Sequence, residues 1–286
     1  MLKDTIFQKT KSLRFRDKLF FIESPIVMGI INLTPDSFYA GSRIQSIDEF
    51  LRTIDKMLDE GATIIDIGAA SSRPNALMLS AADEQQRLRP YLEVLYKTFP
   101  NTWFSIDTYN AETAKWCVEK YGFFMINDIS AYSFDSAMFD TIIQLNVPYV
   151  LMHIKGTPQT MQQQASYQDL IAEIIQFLGE KKHELTSNGL NDLIIDPGFG
   201  FGKTIQHDFE LLKNLKDFEV LECPLLVGLS RKSMIYKTLA INPDEALAGS
   251  IALQTISILN NADIIRTHDV KETVQTIKLI EAYIQS

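Results

Sequence analysis

The stretch from residue 193 to residue 203 reads LIIDPGFGFGK. Its first three residues form a short apolar run that is typical of a buried parallel strand, and Asp196 follows directly. Ligands bind at the carboxyl ends of parallel strands in α/β proteins, which makes Asp196 a candidate ligand-binding residue. The glycines permit positive φ angles and a close approach to a ligand. Taken alone, the stretch fits a structural strand-to-loop turn as well as a ligand-binding site. The rest of the chain is needed to choose between the two interpretations.

From residue 25 onward, apolar runs that suit strands alternate with amphipathic runs that suit helices. The strand runs cover residues 26–31, 63–67, 103–106, 123–126, 149–153, 193–195, 225–228 and 263–266. The helical runs cover residues 47–60, 82–98, 111–121, 136–146, 167–187, 206–215, 243–259 and 270–284. Eight such units predict an α/β fold of the (β/α)8 or TIM barrel type, with a doubly wound open sheet as the alternative. We expect one domain over residues 1–286, with residues 1–24 as an N-terminal extension.

The composition narrows the classes of function. The 286 residues carry a formal net charge of −9, which argues against general binding to nucleic acid or to an anionic membrane. A small anionic substrate remains compatible, because a few local cations suffice to bind it. Two cysteines, Cys117 and Cys223, lie far apart among apolar residues, which predicts buried thiols in a reducing cytoplasm. The sequence shows neither a secretory signal nor a run suited to span a membrane.

Polar residues occur at or just beyond the end of every predicted strand. They are Asn32, Thr34 and Asp36; Ser72, Arg73 and Pro74; Asp107; Asn127; His153; Asp196; Arg231, Lys232 and Ser233; and Arg266 and His268. In a barrel these positions meet at the C-terminal mouth. Taken singly, Asp107 could cap a helix and His153 could be a core histidine. Eight such residue groups at eight corresponding positions favour one site.

The residue types suggest two kinds of ligand group. Asp107, Asn127 and Asp196 suit the N–H edge of a flat, neutral heterocycle, because a carboxylate accepts two parallel hydrogen bonds. A phosphate group fits the cations that follow the last two strands, which are Arg231, Lys232, Arg266 and His268. Asn32 and Asp36 are candidates to hold Mg²⁺ that bridges a diphosphate.

Four motifs resemble those of dihydropteroate synthases. They are MGIINLTPDSF at 28–38, DPGFGFGK at 196–203, SRKS at 230–233 and RTHDV at 266–270. The resemblance covers the chain from about residue 25 onward, and the first two motifs are highly specific. It implies a Mg²⁺-dependent transferase of folate biosynthesis that joins 7,8-dihydropterin-6-ylmethyl diphosphate to p-aminobenzoate and releases diphosphate. It also implies a cytoplasmic homodimer and a sulfonamide target, although the sequence itself leaves the oligomeric state and drug sensitivity open.

The resemblance assigns roles to individual residues. It implies that the pterin is bound by Asp107, Asn127, Asp196 and Lys232. It implies that the diphosphate, with Mg²⁺, is bound by Asn32, Arg266 and His268. It implies that the aminobenzoate pocket is lined by Phe201, Arg231, Ser233 and the loop of Ser72, Arg73 and Pro74. Thr34 is a further expected substrate-binding residue. The candidates for catalysis are Asp36, Asp107, Lys232, Arg266 and His268.

The loop after the second predicted strand departs from the family pattern. The family usually reads GGESTRPG, whereas residues 68–75 read GAASSRPN, so Ala70 stands in place of Glu and Ser72 in place of Thr. A weakened aminobenzoate site is the expected consequence.

Two other functions compete. A corrinoid-dependent methyltransferase uses a related barrel, but this sequence provides no cobalamin domain. A catalytically silent pterin-binding homologue would show broken loop motifs. The enzyme is favoured because the motifs of the first loop and of strands six to eight are intact.

Overall fold

The computed structural model describes residues 11–15, 18–34, 46–71, 73 and 76–286. The predicted site residues Asp36, Ser72 and Pro74 lie outside these ranges. The strands are β1 (Lys11–Phe15), β2 (Lys18–Ile22), β3 (Ile26–Asn32), β4 (Ile64–Gly68), β5 (Trp103–Asp107), β6 (Met125–Asp128), β7 (Tyr149–Met152), β8 (Leu193–Asp196), β9 (Leu226–Val227) and β10 (Ile264–Thr267). The α-helices are α1 (Ile47–Asp59), α2 (Ala81–Thr98), α3 (Ala111–Tyr121), α4 (Met138–Leu145), α5 (Leu170–Ser187), α6 (Ile205–Lys213), α7 (Ser233–Leu239), α8 (Leu247–Leu259) and α9 (Val270–Gln285).

Strands β3 to β10 form one parallel sheet that closes on itself. Its order is β8-β7-β6-β5-β4-β3-β10-β9, and a parallel bridge between Ile195 and Leu225 joins the two edges. Helices follow the strands and cover the outer face, where the larger apolar cluster lies. This confirms the (β/α)8 barrel and rules out the open doubly wound sheet.

Side chains alternate between the two faces of the barrel wall, as the period of a strand requires. On β4, Ile65 and Ile67 belong to the cluster under the helices, whereas Ile64 belongs to the cluster inside the barrel. Asp66 shares the inner face with Ile64. Polar side chains at the C-terminal ends of the inner faces therefore point toward one another.

Strands β1 and β2 form an antiparallel hairpin within the predicted extension. Leu13 and Ile22 are buried in the inner cluster with Met28, so the hairpin packs onto the N-terminal end of the barrel. A 2.6 Å ion pair from Lys11 to Asp263, which lies just before β10, holds it there. The sequence analysis assigned no structure to these residues, and the single-domain organisation stays a prediction.

The predicted helix over residues 243–259 is wrong at its start. Residues Pro243–Glu245 form a 3-10 turn, and α8 begins only at Leu247. The sequence analysis also missed α7, whose seven residues are too few to show a helical period. The helix matters because it follows Lys232 directly.

Candidate active site

A cavity of about 410 Å³ opens at the C-terminal end of the barrel. Its wall contains the predicted residues Asn32, Thr34, Arg73, Asp107, Phe201, Arg231, Lys232, Ser233, Arg266 and His268. Asn127 and Asp196, at the ends of β6 and β8, are 4% and 7% exposed. His153 is not part of this wall; it is buried and bonds to Lys203 at 3.0 Å, as expected of a core histidine. The predicted residues from seven strands thus meet at one end of the barrel.

A carboxylate–guanidinium cluster crosses the interior of the barrel. Arg266 on β10 donates from Nε to Asp66 and from Nη2 to Asp107, at 2.7 Å in each case. Asn127 donates from Nδ2 to the same Asp66 oxygen at 2.9 Å. When both carboxylates are ionised, they outweigh the one guanidinium and leave a net negative charge beside the cavity. Burial raises the pKa of Asp107 despite the opposing charge of Arg266.

The backbone of β4 makes room for this cluster. At Gly68, which pairs with Asp107 in the sheet, an added Cβ would lie 3.1 Å from the Asp107 Cβ. A side chain at Gly68 would therefore crowd the carboxylate that Arg266 binds. A β-strand normally disfavours glycine, so its place here is explained by the close approach.

The loop after β8 is fixed from both ends. Asp196 accepts the backbone N–H of Gly198 at 2.7 Å, and Gly198 has a φ of +73°. An added Cβ at Gly198 would meet the His153 carbonyl oxygen at 1.9 Å, so this position requires glycine. Lys203 lies under the loop and donates to the Gly198 carbonyl at 2.8 Å. Burial lowers the pKa of Lys203 to about 7.

Lys232 connects this loop to the loop that follows the neighbouring strand, β9. Its Nζ donates to the Phe199 carbonyl at 2.5 Å and lies 5.0 Å from the centre of the Phe201 ring. Phe199 is fully buried, whereas Phe201 is half-buried at the cavity. Burial lowers the pKa of Lys232 to about 8, against the effect of Asp196 and Asp208. Of the two rings, Phe201 is the better placed to meet a flat ligand.

Arg231 and His268 are held by neighbouring loop residues. Arg231 makes two hydrogen bonds to Asp269, and its Nη1 donates to the carbonyl groups of Pro243 and Asp244. His268 Nδ1 lies 3.2 Å from the Ser230 hydroxyl. Burial, aided by the charge of Arg266, lowers the pKa of His268 to about 4. His268 is therefore neutral near pH 7 and would meet an anion through hydrogen bonding rather than charge.

Loop two, which joins β4 to α2, is anchored by side chains of other elements. Arg87 on α2 donates to the Ala69 carbonyl at 3.1 Å, and the Leu79 N–H donates to the Tyr109 hydroxyl at 2.7 Å. Gln159 donates to the Ala76 carbonyl at 2.5 Å. Ala70 packs against a small apolar cluster that also contacts Phe201. The described part of this loop therefore keeps its place without the family's Glu.

Comparison with known proteins identifies the family. A sequence model described as pterin binding enzyme matches residues 28–268. The chain belongs to the pterin binding enzyme family.

Related pterin binding enzymes are dihydropteroate synthases. The enzyme from Escherichia coli K12 is 40% identical over 263 residues, which cover 91% of this chain and 92% of that one. The enzyme from Haemophilus influenzae is 39% identical over 268 residues, with 93% and 96% covered. These relatives confirm the resemblance that the motifs indicated.

Solved pterin binding enzymes share the fold. The Yersinia pestis dihydropteroate synthase, solved with a sulfonamide drug complex, superposes with a TM-score of 0.91 at 38% identity and covers 96% of this chain and 100% of its own. The Xanthomonas albilineans enzyme, solved with 4-aminobenzoic acid, gives a TM-score of 0.86 at 32% identity, with 97% and 99% covered.

Several residues of this pterin binding enzyme site were missed by the sequence analysis. They are Asp66 in the cluster and Met161, Gln162, Tyr236 and Lys237 in the cavity wall. Asp66 is the second of the inward positions on β4, so a carboxylate at an inward position of an apolar strand was the available signal. Tyr236 and Lys237 lie on α7, which no sequence pattern predicted.

Metal ligands are few in the described ranges. No group of three His, Cys, Asp or Glu side chains there is arranged to hold a metal ion. Asn32, the last residue of β3, is half-buried in the cavity wall and offers one amide oxygen. One neutral oxygen fits a Mg²⁺ ion held mainly by substrate phosphate and water, and does not fit an all-protein metal cage.

Proposed function

We propose that this cavity is the active site at which the chain joins 7,8-dihydropterin-6-ylmethyl diphosphate to p-aminobenzoate, giving 7,8-dihydropteroate and diphosphate. This is the reaction for which its dihydropteroate synthase relatives are named. One observation carries the proposal: acceptor groups of Asp107, Asn127 and Asp196 lie at one end of the barrel with the cations Lys232 and Arg266. A ligand with a donor-rich heterocycle and an anionic tail matches both sets.

The pterin ring would bind deepest, with its N–H groups toward the carboxylates of Asp107 and Asp196 and the amide of Asn127. These groups are almost buried, so each hydrogen bond forms in a medium of low dielectric constant, where it is stronger than in water. Lys232, held over the Phe199 carbonyl, would face the same ring. The half-buried Phe201 ring lines the neighbouring part of the cavity and suits the flat aminobenzoate.

The reaction requires one bond to break and one to form. The carbon–oxygen bond between the pterin methylene and diphosphate breaks, and the oxygen keeps the electron pair. The p-aminobenzoate nitrogen then bonds to the methylene carbon and loses a proton to solvent. With Asp107 ionised, the cluster of Asp66, Asp107 and Arg266 carries a net negative charge, which would favour the electron-poor pterin that remains after diphosphate leaves. No protein nucleophile is needed, so the catalytic role of the chain is positioning and charge stabilisation.

Diphosphate would bind at the end of β10. The Nη1 atom of Arg266 forms no hydrogen bond with the described residues, which leaves it for a phosphoryl oxygen. His268 adds a neutral hydrogen-bonding group. We propose that Asn32 holds Mg²⁺, together with Asp36 from the first loop. Bound Mg²⁺ would neutralise negative charge on the diphosphate oxygens.

A homodimer is also proposed. The outer face of α9 exposes Leu279, Tyr283 and Ile284, with relative exposures of 73%, 72% and 68%. Helix α8 packs beside α9 and exposes Ile256 and Leu259. Adjacent apolar side chains of this size suit a surface that a second copy covers. Light scattering of the protein and of Leu279→Asp would test this, and a monomeric wild type would refute it.

A cytoplasmic location is supported by the thiols of Cys117 and Cys223, which are free and buried. Unpaired thiols fit a reducing compartment. No described helix combines the length and the apolar composition needed to cross a bilayer.

The deciding experiment measures diphosphate release by the purified protein. We expect release that requires both p-aminobenzoate and Mg²⁺, with dihydropteroate formed in equal amount. Arg266→Lys is the matched variant, and it should release diphosphate more slowly, because an ammonium lacks the planar fork. Release without p-aminobenzoate would indicate a hydrolase. Pterin binding without any dihydropteroate would instead indicate the silent binding homologue.

A further inference from the structure

Asp66 accepts hydrogen bonds from two predicted substrate-binding residues through one oxygen atom. Its Oδ2 accepts from Arg266 Nε at 2.7 Å and from Asn127 Nδ2 at 2.9 Å, and its side chain is fully buried. Asn127 comes from β6 and Arg266 from β10, so Asp66 on β4 connects opposite parts of the barrel. The sequence analysis gave this carboxylate no role.

The contact with Asp66 fixes which way the Asn127 amide faces. An ionised carboxylate only accepts hydrogen bonds, so it requires the NH2 end of the amide. The reversed amide would set two acceptor oxygens against each other at the same 2.9 Å. The carbonyl end of Asn127 is therefore turned away from Asp66, where it remains available as an acceptor.

We propose that Asp66 is a positioning residue that sets the specificity of the pterin site for an amino-bearing edge. By fixing the Asn127 amide, it keeps the carbonyl of Asn127 as an acceptor beside the carboxylates of Asp107 and Asp196. Such a wall accepts the exocyclic amino group of a pterin. It rejects a heterocycle of the same shape whose amino group is replaced by an oxo group, because two acceptors then face each other. The inference rests on the proposed function, since it assumes that this wall binds the ring.

A neighbouring residue provides the control. Ser105 on β5 pairs with Asp66 in the sheet register. The Ser105 hydroxyl and the Asp66 Oδ1 atom are buried and lack a hydrogen-bond partner among the described residues. Ser105 forms no described hydrogen bond to Asn127 or Arg266. Ser105→Ala thus changes a buried polar group beside Asp66 without touching the amide.

The test compares the affinities for pterin and for lumazine, its 2-oxo counterpart, by calorimetry. Wild type should prefer pterin. In Asp66→Ala, the oxygen that accepts from both Arg266 and Asn127 is removed, so nothing holds the NH2 end of the Asn127 amide and the amide can reverse. We expect the preference to fall about tenfold, the effect of one misplaced hydrogen bond. Ser105→Ala should keep the wild-type ratio.

An unchanged ratio in Asp66→Ala would overturn the inference, as would an equal fall in Ser105→Ala. The double variant Asp66→Ala with Asn127→Asp keeps the net charge constant and moves the carboxylate to position 127. It should restore the ratio to within about threefold of wild type, because a carboxylate in place of the Asn127 amide can present only acceptors. Should the single variant not fold, the double variant decides: a restored preference supports the inference, and a lost one refutes it.

Failure of the proposed function would look different. A wild-type protein that binds neither pterin nor lumazine would refute the pterin site and this inference together. A wild-type protein that prefers pterin, with the same preference in Asp66→Ala, would refute the inference alone.

Discussion

The guanidinium of Arg231 pairs with the carboxylate of Asp269 through two hydrogen bonds, Nε to Oδ2 at 3.0 Å and Nη2 to Oδ1 at 2.8 Å. The two side chains are 7% and 11% exposed. Arg231 follows β9, and Asp269 follows β10. The pair therefore ties together the two loops that carry Lys232 and His268.

This pair predicts how Arg231 acts. The resemblance implied a place in the aminobenzoate pocket, but the guanidinium is engaged by the neighbouring loop. We expect Asp269→Asn and Arg231→Lys to lower the free energy of unfolding by about 3–5 kcal/mol, as for other broken buried pairs. Both should change the KM for p-aminobenzoate to a similar degree. A much larger change in KM for Arg231→Lys alone would mean that Arg231 binds the substrate directly.

Asp196→Asn should weaken pterin binding and keep the fold. In the native protein the Asp196 carboxylate accepts the backbone N–H of Gly198 at 2.7 Å, and the amide oxygen of the variant can still accept this hydrogen bond. The other end of the side chain becomes a donor and faces the N–H groups of the ligand. We expect a loss of about 1–3 kcal/mol in binding, or roughly 5- to 150-fold. Calorimetry with pterin gives the affinity, and thermal unfolding controls for folding. Wild-type affinity would exclude this role.

Lys232 should make catalysis fall at alkaline pH. Burial lowers its pKa from 10.5 to about 8, so the folded enzyme loses this charge as the pH rises through about 8. We expect kcat/KM for the pterin substrate to decline there and the decline to move to higher pH in Lys232→Arg. If kcat/KM declined at the same pH in Lys232→Arg as in wild type, the decline would be due to the titration of another residue. The unfolded chain keeps this proton up to about pH 10.5, so Lys232 contributes more to stability at pH 10 than at pH 8.

Ser72→Thr should improve the aminobenzoate site alone. Ser72 lies outside the described residues, and this prediction rests on the sequence. The added methyl is worth on the order of 1 kcal/mol if it is buried against the substrate, so the KM for p-aminobenzoate should fall several-fold. Steady-state kinetics with each substrate varied in turn is the measurement. A change in pterin affinity of similar size would contradict the assignment.

Leu13→Ala should destabilise the protein without altering ligand affinity. Leu13 is fully buried in the cluster inside the barrel, and such truncations cost about 2–5 kcal/mol. Leu19 on the same hairpin is 62% exposed, and Leu19→Ala should cost less than about 0.5 kcal/mol. Chemical denaturation measures both. Equal effects would mean that the hairpin does not pack as described.

The sequence predicted the barrel and most of the described site because both follow from short apolar strand runs that alternate with amphipathic helical runs. Residues just past an apolar run must lie at the mouth, which located Asp107, Asn127, Asp196 and Arg266. The family and the enzyme class followed from the motifs. The pairing of Arg266 with Asp66 was not predictable in this way, since it joins residues 200 positions apart across the barrel interior.

The secondary-structure elements that the sequence analysis missed have local sequence patterns that are too short or too mixed to show a helical or strand period. Helix α7 has seven residues, and its first residue, Ser233, was assigned to a binding motif. The hairpin from Lys11 to Ile22 mixes charged and apolar residues without a regular period, and its buried side is set by contact with the barrel. Tertiary packing decides such elements.

The hairpin covers the N-terminal end of the barrel. Leu13 and Ile22 pack there on the inner apolar cluster, opposite the cavity, so within the described ranges ligands reach the cavity through the mouth bordered by Phe201 and His268. Under the proposed function, a heterocycle seated on Asp196 and Asn127 would therefore bind before the aminobenzoate seated outside it. We expect an ordered kinetic mechanism in which the pterin substrate binds first.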